Sequence, residues 1–342
     1  LQGGSVQCWG ENNKGQLGDG GTTDSAAPVT VAGLSGPATA LAPGQEHTCA
    51  LIQGGTVQCW GNGSSGRLGN GGTADSLTPV SVSSLSGAVT AIASGSFHTC
   101  ALIDGGAMQC WGRGTFGQIG NGSTNFNNTT PKTVSGISTA TAIATGTVHS
   151  CAVLDGGTAK CWGENSVGAL GDGTKVQRNS PVSVQGLAGT VTAMAGGAGA
   201  TYALLGDGLL QAWGLNAEGE FGDGTTTSTT APVDVLDPTV SRTASLIVDD
   251  LKVGAHAFTA SYGGDSDSDP SESDALSHTV GKAGTKIRKI KLKLKPGKPK
   301  AGTKARATVD VAAPSPATAR PAGKLQVKLG RKKIANVKVK GG

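Results

Sequence analysis

The amino-acid sequence repeats with a fixed period of 51 residues. The phrase HTCALIQGGTVQCWG at residues 47–61 returns as HTCALIDGGAMQCWG at 98–112 and as HSCAVLDGGTAKCWG at 149–163. The five tryptophans of the chain keep the same step: Trp9, Trp60, Trp111, Trp162 and Trp213. A period of this size is typical of proteins that stack one small supersecondary unit on the next.

Each unit contains four short apolar segments that are separated by glycine-rich or Asn-Gly turns. In the unit that ends at Trp111 these segments are SLTPVSVSSL, GAVTAIASG, HTCALI and AMQCWG. No apolar pattern of helical period runs long enough for a helix, so all four are predicted to be strands. Four strands repeated every 40 to 50 residues or so are typical of a β-propeller blade. The sequence therefore predicts an all-β fold.

A glycine-rich turn follows each tryptophan. Its copies are GENNKGQLGDG at 10–20, GNGSSGRLGNG at 61–71, GRGTFGQIGNG at 112–122, GENSVGALGDG at 163–173 and GLNAEGEFGDG at 214–224. A proline follows each copy, at positions 28, 79, 131, 181 and 232. Each unit continues with an alternating strand, with G-x-x-H-T/S-C-A-L and with a closing W-G. Over residues 1–237 this arrangement resembles the regulator-of-chromosome-condensation repeat family.

The resemblance implies a β-propeller, and members of the family close rings of seven blades. Residues 1–237 supply about five units, and residue 1 aligns with Ile52 in the middle of a unit. We therefore expect a partial propeller of about five blades whose first blades are encoded upstream. The resemblance is to the bacterial secreted type of the family, and it implies a domain that binds proteins with loops on one face.

Two cysteines flank each Gly-Gly hairpin turn. A three-residue loop with a left-handed glycine at its end places Cys49 directly opposite Cys59, on a rung where side chains approach closely. In the fifth unit both positions change together, to Tyr202 and Ala212. We predict three disulfides: Cys49–Cys59, Cys100–Cys110 and Cys151–Cys161. These bonds indicate an oxidising compartment, and Cys8 would pair with a residue upstream of residue 1.

A metal site is the alternative for the cysteine pairs, because a histidine precedes each pair by two positions, as His47 precedes Cys49. Zinc needs four converging ligands, and the repeat offers only three. We interpret His47, His98 and His149 as structural residues that hydrogen-bond a neighbouring blade, and we predict no metal and no cofactor.

The 51-residue period stops after residue 237. The phrases TASL at 243–246, GAH at 254–256 and SYGGD at 261–265 follow this point. With them, residues 238–281 resemble the later half of a bacterial immunoglobulin-like domain, and residues 282–342 resemble the earlier half of another. We expect two immunoglobulin-like β-sandwich segments in this order. The alternative is that the two halves complement each other in one sandwich of about 100 residues.

Charge is distributed unevenly along the chain. Residues 1–280 carry 9 Lys and Arg against 22 Asp and Glu, whereas residues 281–342 carry 19 against 1. The stretch KIRKIKLKLK alternates as a strand, and its candidate polyanion-binding residues are Lys286, Arg288, Lys289, Lys291, Lys293 and Lys295. A solvated edge that discourages aggregation is the favoured interpretation. The alternative is electrostatic binding of a cell-wall polymer, an anionic polysaccharide or DNA.

The acidic segment GDSDSDPSESD suggests calcium through Asp265, Asp267 and Asp269. It departs from a calcium-binding loop because Pro270 stands where the loop needs glycine and Leu276 where it needs glutamate. An exposed acidic loop is the favoured interpretation.

The segments after the glycine-rich turns differ most between units. GDGGTTDSAAP at 18–28 becomes GNGSTNFNNTTP at 120–131 and GDGTKVQRNSP at 171–181. Variable loops on a rigid scaffold often carry function. The candidate partner-binding residues in these loops are Phe126, Asn127, Lys175 and Arg178. Neutral drift of exposed turns is the alternative.

No catalytic constellation is found, because no serine lies in a nucleophile elbow and no glycine-rich turn has the lysine of a phosphate loop. No apolar stretch approaches the roughly 18 residues that span a membrane. We predict a non-enzymatic bacterial secreted or cell-surface protein that acts in protein binding, adhesion or scaffolding. The alternative is a guanine-nucleotide exchange factor for a small GTPase, the activity of the family's eukaryotic nuclear namesake.

Overall fold

The fold is taken from a computed structural model, which describes residues 2–235 throughout and, beyond residue 235, only the backbone of eight strands. The chain divides into two compact units, residues 1–235 and 236–342. Residues 2–235 contain strands and two short 3-10 turns, Gln2–Gly4 and Ser64–Gly66. The all-β prediction is confirmed for this part of the chain.

The strands of the first unit form five successive sheets, which we call blades 1 to 5. Blade 1 consists of β1 (Gln7–Gly10) and β2 (Ser25–Thr30). Blade 2 consists of β3 (Ala38–Pro43), β4 (His47–Ile52), β5 (Thr56–Gly61) and β6 (Ser76–Ser81). Blade 3 consists of β7 (Val89–Ser94), β8 (His98–Ile103), β9 (Met108–Arg113) and β10 (Asn127–Thr133). Blade 4 consists of β11 (Ala140–Thr145), β12 (His149–Leu154), β13 (Ala159–Gly163) and β14 (Arg178–Ser183). Blade 5 consists of β15 (Val191–Gly196), β16 (Ala200–Leu205), β17 (Leu210–Gly214) and β18 (Thr229–Asp234).

Blades 2 to 5 are antiparallel sheets whose four strands pair in chain order. The expectation of about five blades therefore corresponds to four complete sheets and one two-stranded sheet in residues 2–235. The hairpin register is the predicted one, with Ile52 opposite Thr56 and Cys49 opposite Cys59. Gly54 and Gly55 both have positive φ, at 96° and 85°, so the turn uses two left-handed residues rather than one.

Neighbouring blades pack through the two faces of their middle strands. One face of β4 and β5 carries Cys49, Leu51, Val57 and Cys59, which pack against Trp111 of blade 3. The other face carries Ala50, Ile52 and Trp60, which pack against blade 1. Alternation along a strand sends successive side chains to opposite faces, so each six-residue strand contributes to two interfaces.

Each buried tryptophan ties its blade to the turn of the preceding one. The Nε1 atom of Trp60 donates to the Gln16 carbonyl oxygen at 2.9 Å, and Trp111, Trp162 and Trp213 repeat the bond to residues 67, 118 and 169. Gly18 is required at this contact because its φ is +71° and an added Cβ would lie 2.7 Å from the Trp60 nitrogen. Trp9 in blade 1 is 64% exposed, whereas the other four tryptophans are fully buried.

The second unit contains strands in two sheets. These strands are β19 (Thr243–Val248), β20 (Gly254–Tyr262), β21 (Ser271–Glu272), β22 (Leu276–Val280), β23 (Ile290–Lys293), β24 (Ala307–Ala312), β25 (Gly323–Leu329) and β26 (Lys332–Val339). β19 pairs with β23 and β25, and β20 pairs with β21, β22 and β24, all antiparallel. β19 and β20 of the predicted segment 238–281 therefore pair with β23, β24 and β25 of the predicted segment 282–342.

Several predicted residues of this unit lie outside the described part of the chain. They are Asp265, Asp267, Asp269, Lys286, Arg288, Lys289 and Lys295. Lys291 and Lys293 lie in β23, for which only the backbone is described. The immunoglobulin-like interpretation and the anionic-polymer interpretation of this unit both stay predictions.

Candidate functional site

One end of the blades carries the glycine-rich turns, and we call this end the turn face. In blades 2 to 5 the turns are residues 62–75, 114–126, 164–177 and 215–228, which join the third strand to the fourth. The short loops that lead into the second strand, such as residues 95–97 before β8, lie at the same strand ends. The hairpins around residues 53–55 and their equivalents lie at the opposite end, so the two ends present different sets of side chains.

A buried asparagine organises each of three turns from inside. The Nδ2 atom of Asn165 donates to Asp172 Oδ1 and to the carbonyl oxygens of Thr174 and Val176, each at 3.1 Å. Its Oδ1 atom accepts the Leu170 amide at 3.0 Å. Asn12 and Asn216 make the corresponding bonds in blades 1 and 5. Because the backbone is fixed from within, exposed positions of the turn can change without loss of the frame.

Blade 3 gathers three of the five phenylalanines of the chain around one arginine. Arg113 ends β9, and its guanidinium carbon lies 5.4 Å from the ring centre of Phe97, 5.8 Å from that of Phe116 and 5.3 Å from that of Phe126. These separations are within the range of a cation–π interaction. Phe126 is 52% exposed. We call these four residues the Arg113 patch.

The patch breaks the repeat. At the position of Arg113 the other units have Glu11, Asn62, Glu164 and Leu215. Phe97 is replaced in blades 2, 4 and 5 by glutamate, valine and glycine, at residues 46, 148 and 199. The patch is therefore a property of blade 3 and not of the repeat that builds the strands.

Arg67 lies beside the patch but is already neutralised. Its Nη1 atom is 2.9 Å from Glu46 Oε2, and its side chain is buried. Its guanidinium carbon lies 4.9 Å from the ring centre of Phe97, so Phe97 is in cation–π range of both Arg67 and Arg113. This network holds the Phe97 ring in place at the junction of blades 2 and 3.

The four predicted partner-binding residues have different surroundings. Phe126 and Lys175 are exposed in turns, as predicted. Asn127 and Arg178 are instead the first residues of strands β10 and β14, because their backbones already pair with Arg113 and Gly163. Arg178 forms an ion pair with Asp172 at 2.9 Å, so it braces its own turn.

The pKa of the Asp172 carboxyl group is changed by these contacts. Burial alone would raise the pKa of its carboxyl group, but hydrogen bonds from Thr174, Arg178 and Asn165 outweigh burial and lower the pKa below its ordinary value. The carboxylate is thus kept ionised, and the turn of blade 4 is locked around it. The loop sequence did not indicate this pairing.

Three histidines connect successive blades below the turn face. The Nε2 atom of His47 is 2.9 Å from Thr99 Oγ1, that of His98 is 2.8 Å from Ser150 Oγ, and that of His149 is 2.9 Å from Thr201 Oγ1. The prediction that the histidines hydrogen-bond a neighbouring blade is confirmed. Burial lowers the pKa of His47 and of His98 to about 3 and that of His149 to about 4.

The cysteines form the predicted disulfides. Cys49–Cys59, Cys100–Cys110 and Cys151–Cys161 are bonded, with a Cα separation of 4.1 Å in each pair. Cys8 is the free cysteine of the described residues, and burial raises the pKa of its thiol. Within residues 2–235 and the described strands, no group of three or more potential ligands could hold a metal ion.

Known proteins share the repeat. The family model for the Regulator of chromosome condensation (RCC1) repeat matches residues 3–51, 54–102, 106–153 and 158–204. The Ultraviolet-B receptor UVR8 of Arabidopsis thaliana is 32% identical over 238 residues, which cover 68% of this chain and 54% of the receptor. The chain thus spans about half the length of that relative.

Solved structures share the fold. Human WBSCR16 superposes with a TM-score of 0.63 at 22% identity, covering 71% of this chain and 65% of that one. Prp20p of Saccharomyces cerevisiae, described with its binding properties to Gsp1p and histones, superposes with a TM-score of 0.60 at 25% identity. That match covers 68% of this chain and 59% of Prp20p. In the described part of the chain, no helix has the length and apolar character needed to cross a membrane.

Proposed function

Because the chain belongs to the regulator of chromosome condensation (RCC1) repeat family, we propose that its propeller unit is a non-enzymatic protein-binding module whose partner docks on the turn face. The observation that carries this proposal is the Arg113 patch, which places three phenylalanines and an arginine where the other blades have small, polar or aliphatic residues. Arginine is enriched among the residues that dominate the binding energy of protein interfaces, and phenylalanine is enriched in the interfaces themselves.

The scaffold under this face supports the proposal. Blades 2 to 4 are each joined to the following blade by a buried histidine and a tryptophan bond, and each of them contains a disulfide. A rigid frame with variable exposed turns is the arrangement by which many domains present binding residues. Prp20p, whose solved structure is described with binding to Gsp1p and histones, has the same fold and offers a precedent for protein binding.

The proposed setting is extracellular, at a bacterial cell surface, with a role in adhesion or scaffolding. The three disulfides support an oxidising compartment, because such bonds are rare in reducing cytosol. The bacterial assignment rests on the sequence resemblance alone. In this proposal the second unit is an immunoglobulin-like spacer domain. Its basic stretch around Lys291 and Lys293 binds anionic cell-wall polymers through electrostatic attraction that weakens with salt.

A face-specific comparison of variants tests the proposed function. The first variant replaces Phe126, Asn127, Lys175 and Arg178 by alanine on the turn face. The matched control replaces exposed hairpin residues of the opposite end, Gln53, Asp104 and Asp155, by alanine. A partner recovered by crosslinking to the folded full chain should lose affinity for the first variant by about tenfold or more and keep its affinity for the second. Equal binding to both variants would place the partner elsewhere.

Nucleotide exchange is the alternative function. Within residues 2–235 the repeat departs from its 51-residue step by a single residue, before Pro131, and returns to it by Pro181. The described propeller therefore contains no insertion longer than one residue between the prolines of successive repeats. Accelerated release of labelled GDP from a small GTPase on addition of the full chain would favour exchange over simple binding.

A further inference from the structure

Arg113 differs from the other arginines of the propeller unit because no carboxylate neutralises it. Residues 2–235 contain three arginines, and Arg67 and Arg178 each lie 2.9 Å from a carboxylate oxygen. Within these residues Arg113 forms no ion pair, and its one hydrogen bond is from Nε to Thr115 Oγ1 at 2.7 Å. The four N–H groups on its two terminal nitrogens therefore have no partner in the described part of the chain.

We propose that the Arg113 patch binds an acidic and apolar segment of a partner protein, with an Asp or Glu carboxylate on Arg113 and a neighbouring apolar side chain on Phe126. This inference rests on the proposed protein-binding function and names the chemistry of the partner. The occupant is a protein segment because the patch offers one cationic group beside an exposed ring, which suits one carboxylate next to one apolar residue.

The geometry leaves the binding edge of the guanidinium available. A guanidinium that interacts with aromatic faces keeps its N–H donors in its own plane, where a carboxylate can accept two of them. The rings of Phe97 and Phe116 lie 5.4 and 5.8 Å from the guanidinium carbon of Arg113, which is itself half-buried, and a charge-assisted hydrogen bond is stronger at a partly buried group than in open water. The bond from Nε to Thr115 fixes the direction in which the terminal nitrogens point.

The charge of the unit favours a short acidic segment over an extended polyanion. Residues 1–235 contain 7 Lys and Arg against 14 Asp and Glu, a net charge of −7. A long polyanion would be repelled by this surface, whereas a single carboxylate can pair with Arg113 at short range. Phe126 is 52% exposed, so covering its ring removes apolar surface from water and favours an apolar neighbour to that carboxylate.

Synthetic peptides provide the test on the full chain. The probe is a 12-residue serine–glycine peptide that carries a single Glu-Leu pair, and the two matched peptides replace this glutamate by glutamine or this leucine by serine. Titration calorimetry should show binding of the first peptide that is tighter by about tenfold than that of either matched peptide. Equal affinity of the glutamate and glutamine peptides would overturn the role of the carboxylate.

Variants of the protein locate the contact. Arg113→Ala should lower the affinity for the glutamate–leucine peptide by about tenfold. Arg113→Lys should lower it less, because lysine keeps the charge but not the paired donors. Arg113→Glu should prefer a lysine–leucine peptide. The matched control is Lys132→Ala, which removes one positive charge from strand β10 at the opposite end from Asn127. A similar loss with Lys132→Ala, or none with Arg113→Ala, would overturn the site.

Two further results separate the possible failures. Polyglutamate without apolar residues, if it bound as tightly as the mixed peptide, would assign the patch to polyanions instead. If a partner protein depends on the turn face while the peptides ignore Arg113, the inference fails and the proposed function stands. If crosslinked partners bind equally to the turn-face and hairpin variants, the proposed function fails. If the Arg113→Ala variant does not fold, the Arg113→Lys variant is compared with the original chain in its place.

Discussion

Blades 2 to 4 and blade 5 are built from the same repeat, yet blade 5 lacks three of its residues. Blades 2 to 4 have a histidine at the start of their second strand, where blade 5 has Ala200. They have a bonded cysteine pair, where blade 5 has Tyr202 opposite Ala212. The tryptophan of the unit is retained, and Trp213 is fully buried against blade 4.

The residues that blade 5 lacks all belong to one of the two faces of a blade. The histidine and the cysteine pair face the following blade, as His98 does toward Ser150 and Cys49 toward Trp111. In blade 5 the same face exposes Leu204 and Leu210, at 41% and 37%, whereas Leu102 and Met108 at these positions of blade 3 are buried. Blade 5 therefore keeps the tryptophan that faces the preceding blade and lacks the histidine and the cysteine pair of the opposite face, which no further blade covers within residues 2–235.

Acid should give the largest contrast between the two kinds of blade. The pKa values of His47, His98 and His149 are lower in the folded chain than the ordinary 6.5, mainly because of burial. Unfolded chains therefore bind more protons, and the stability is complete above pH 6.5 and is lost as the pH falls toward 3 to 4. The loss is about 1.4 kcal/mol for each pH unit and each histidine.

Arg67 adds to the effect at His47, while Glu164 opposes it at His149. Hydrogen exchange at pH 7 and pH 4.5 should show loss of protection in β4, β8 and β12. His98→Gln should reduce the number of protons taken up on unfolding by about one. A pH slope identical in this variant and the original chain would contradict the assignment.

Removal of one disulfide should have the next largest effect. Cys100→Ala with Cys110→Ala frees a hairpin loop of 11 residues, and the chain-entropy model predicts a loss of about 3 kcal/mol in the free energy of unfolding. Guanidinium denaturation measures this change.

Blade 5 offers the converse variant. Tyr202→Cys with Ala212→Cys should oxidise to a bonded pair, because these residues lie directly opposite each other in the same register as Cys100 and Cys110. A mass lower by two hydrogens would show the bond. Two free thiols after oxidation would mean that blade 5 differs in backbone geometry as well as in sequence.

Glycine substitutions sharpen the comparison at the hairpins. Gly106 and Gly208 have equivalent positions and positive φ, so alanine at either is strained by about 1 to 2 kcal/mol. An added Cβ at Gly106 would lie 2.9 Å from the Ser138 carbonyl oxygen, whereas one at Gly208 would meet nothing within 4 Å. Thermal unfolding should show that Gly106→Ala lowers the free energy of unfolding by about 1 to 3 kcal/mol more than Gly208→Ala does. Equal shifts would show that the next blade yields without resistance.

The smallest expected effect concerns the residue that replaces a cysteine. The hydroxyl group of Tyr202 donates to the Glu220 carbonyl oxygen at 2.7 Å and so ties β16 to the turn of its own blade. Tyr202→Phe removes this bond and should lower stability by about 1 kcal/mol, measured by denaturant midpoint. Thr192→Val is a control on the same blade, since its hydroxyl bond to Leu204 is exposed. Equal losses in the two variants would assign no special role to Tyr202.

The repeat made much of the fold predictable, because one period fixes strand number, order and register together. Counting outward from the turn was enough to place Cys49 opposite Cys59. The lack of a fourth zinc ligand favoured a structural role for His47, a hydrogen bond to a neighbouring blade, and the structure identifies that blade as the following one. The Arg113 patch was not predicted beyond Phe126. Phe97 and Phe116 come from different loops, and only the folded blade brings them to Arg113.

A signal for the patch was nevertheless present. Phe97, Phe116 and Phe126 lie within 30 consecutive residues, at positions where the other repeats have no aromatic residue. The role of Arg178 was hidden in a different way. Its partner Asp172 lies six residues away across a turn, and only the conformation of that turn decides whether the two meet or both face water.

The tie between successive blades has a consequence for synthesis of the chain. His47 and Thr99 are 52 residues apart, and Trp60 and Gln16 are 44 residues apart. A ribosome that adds about 5 to 20 residues per second completes such an interval in roughly 2 to 10 s. Each blade can therefore be fastened to its predecessor while the next one is being translated. The blades can therefore fold one after another from the N-terminus during translation, with each folded blade providing the surface on which the following hairpin packs.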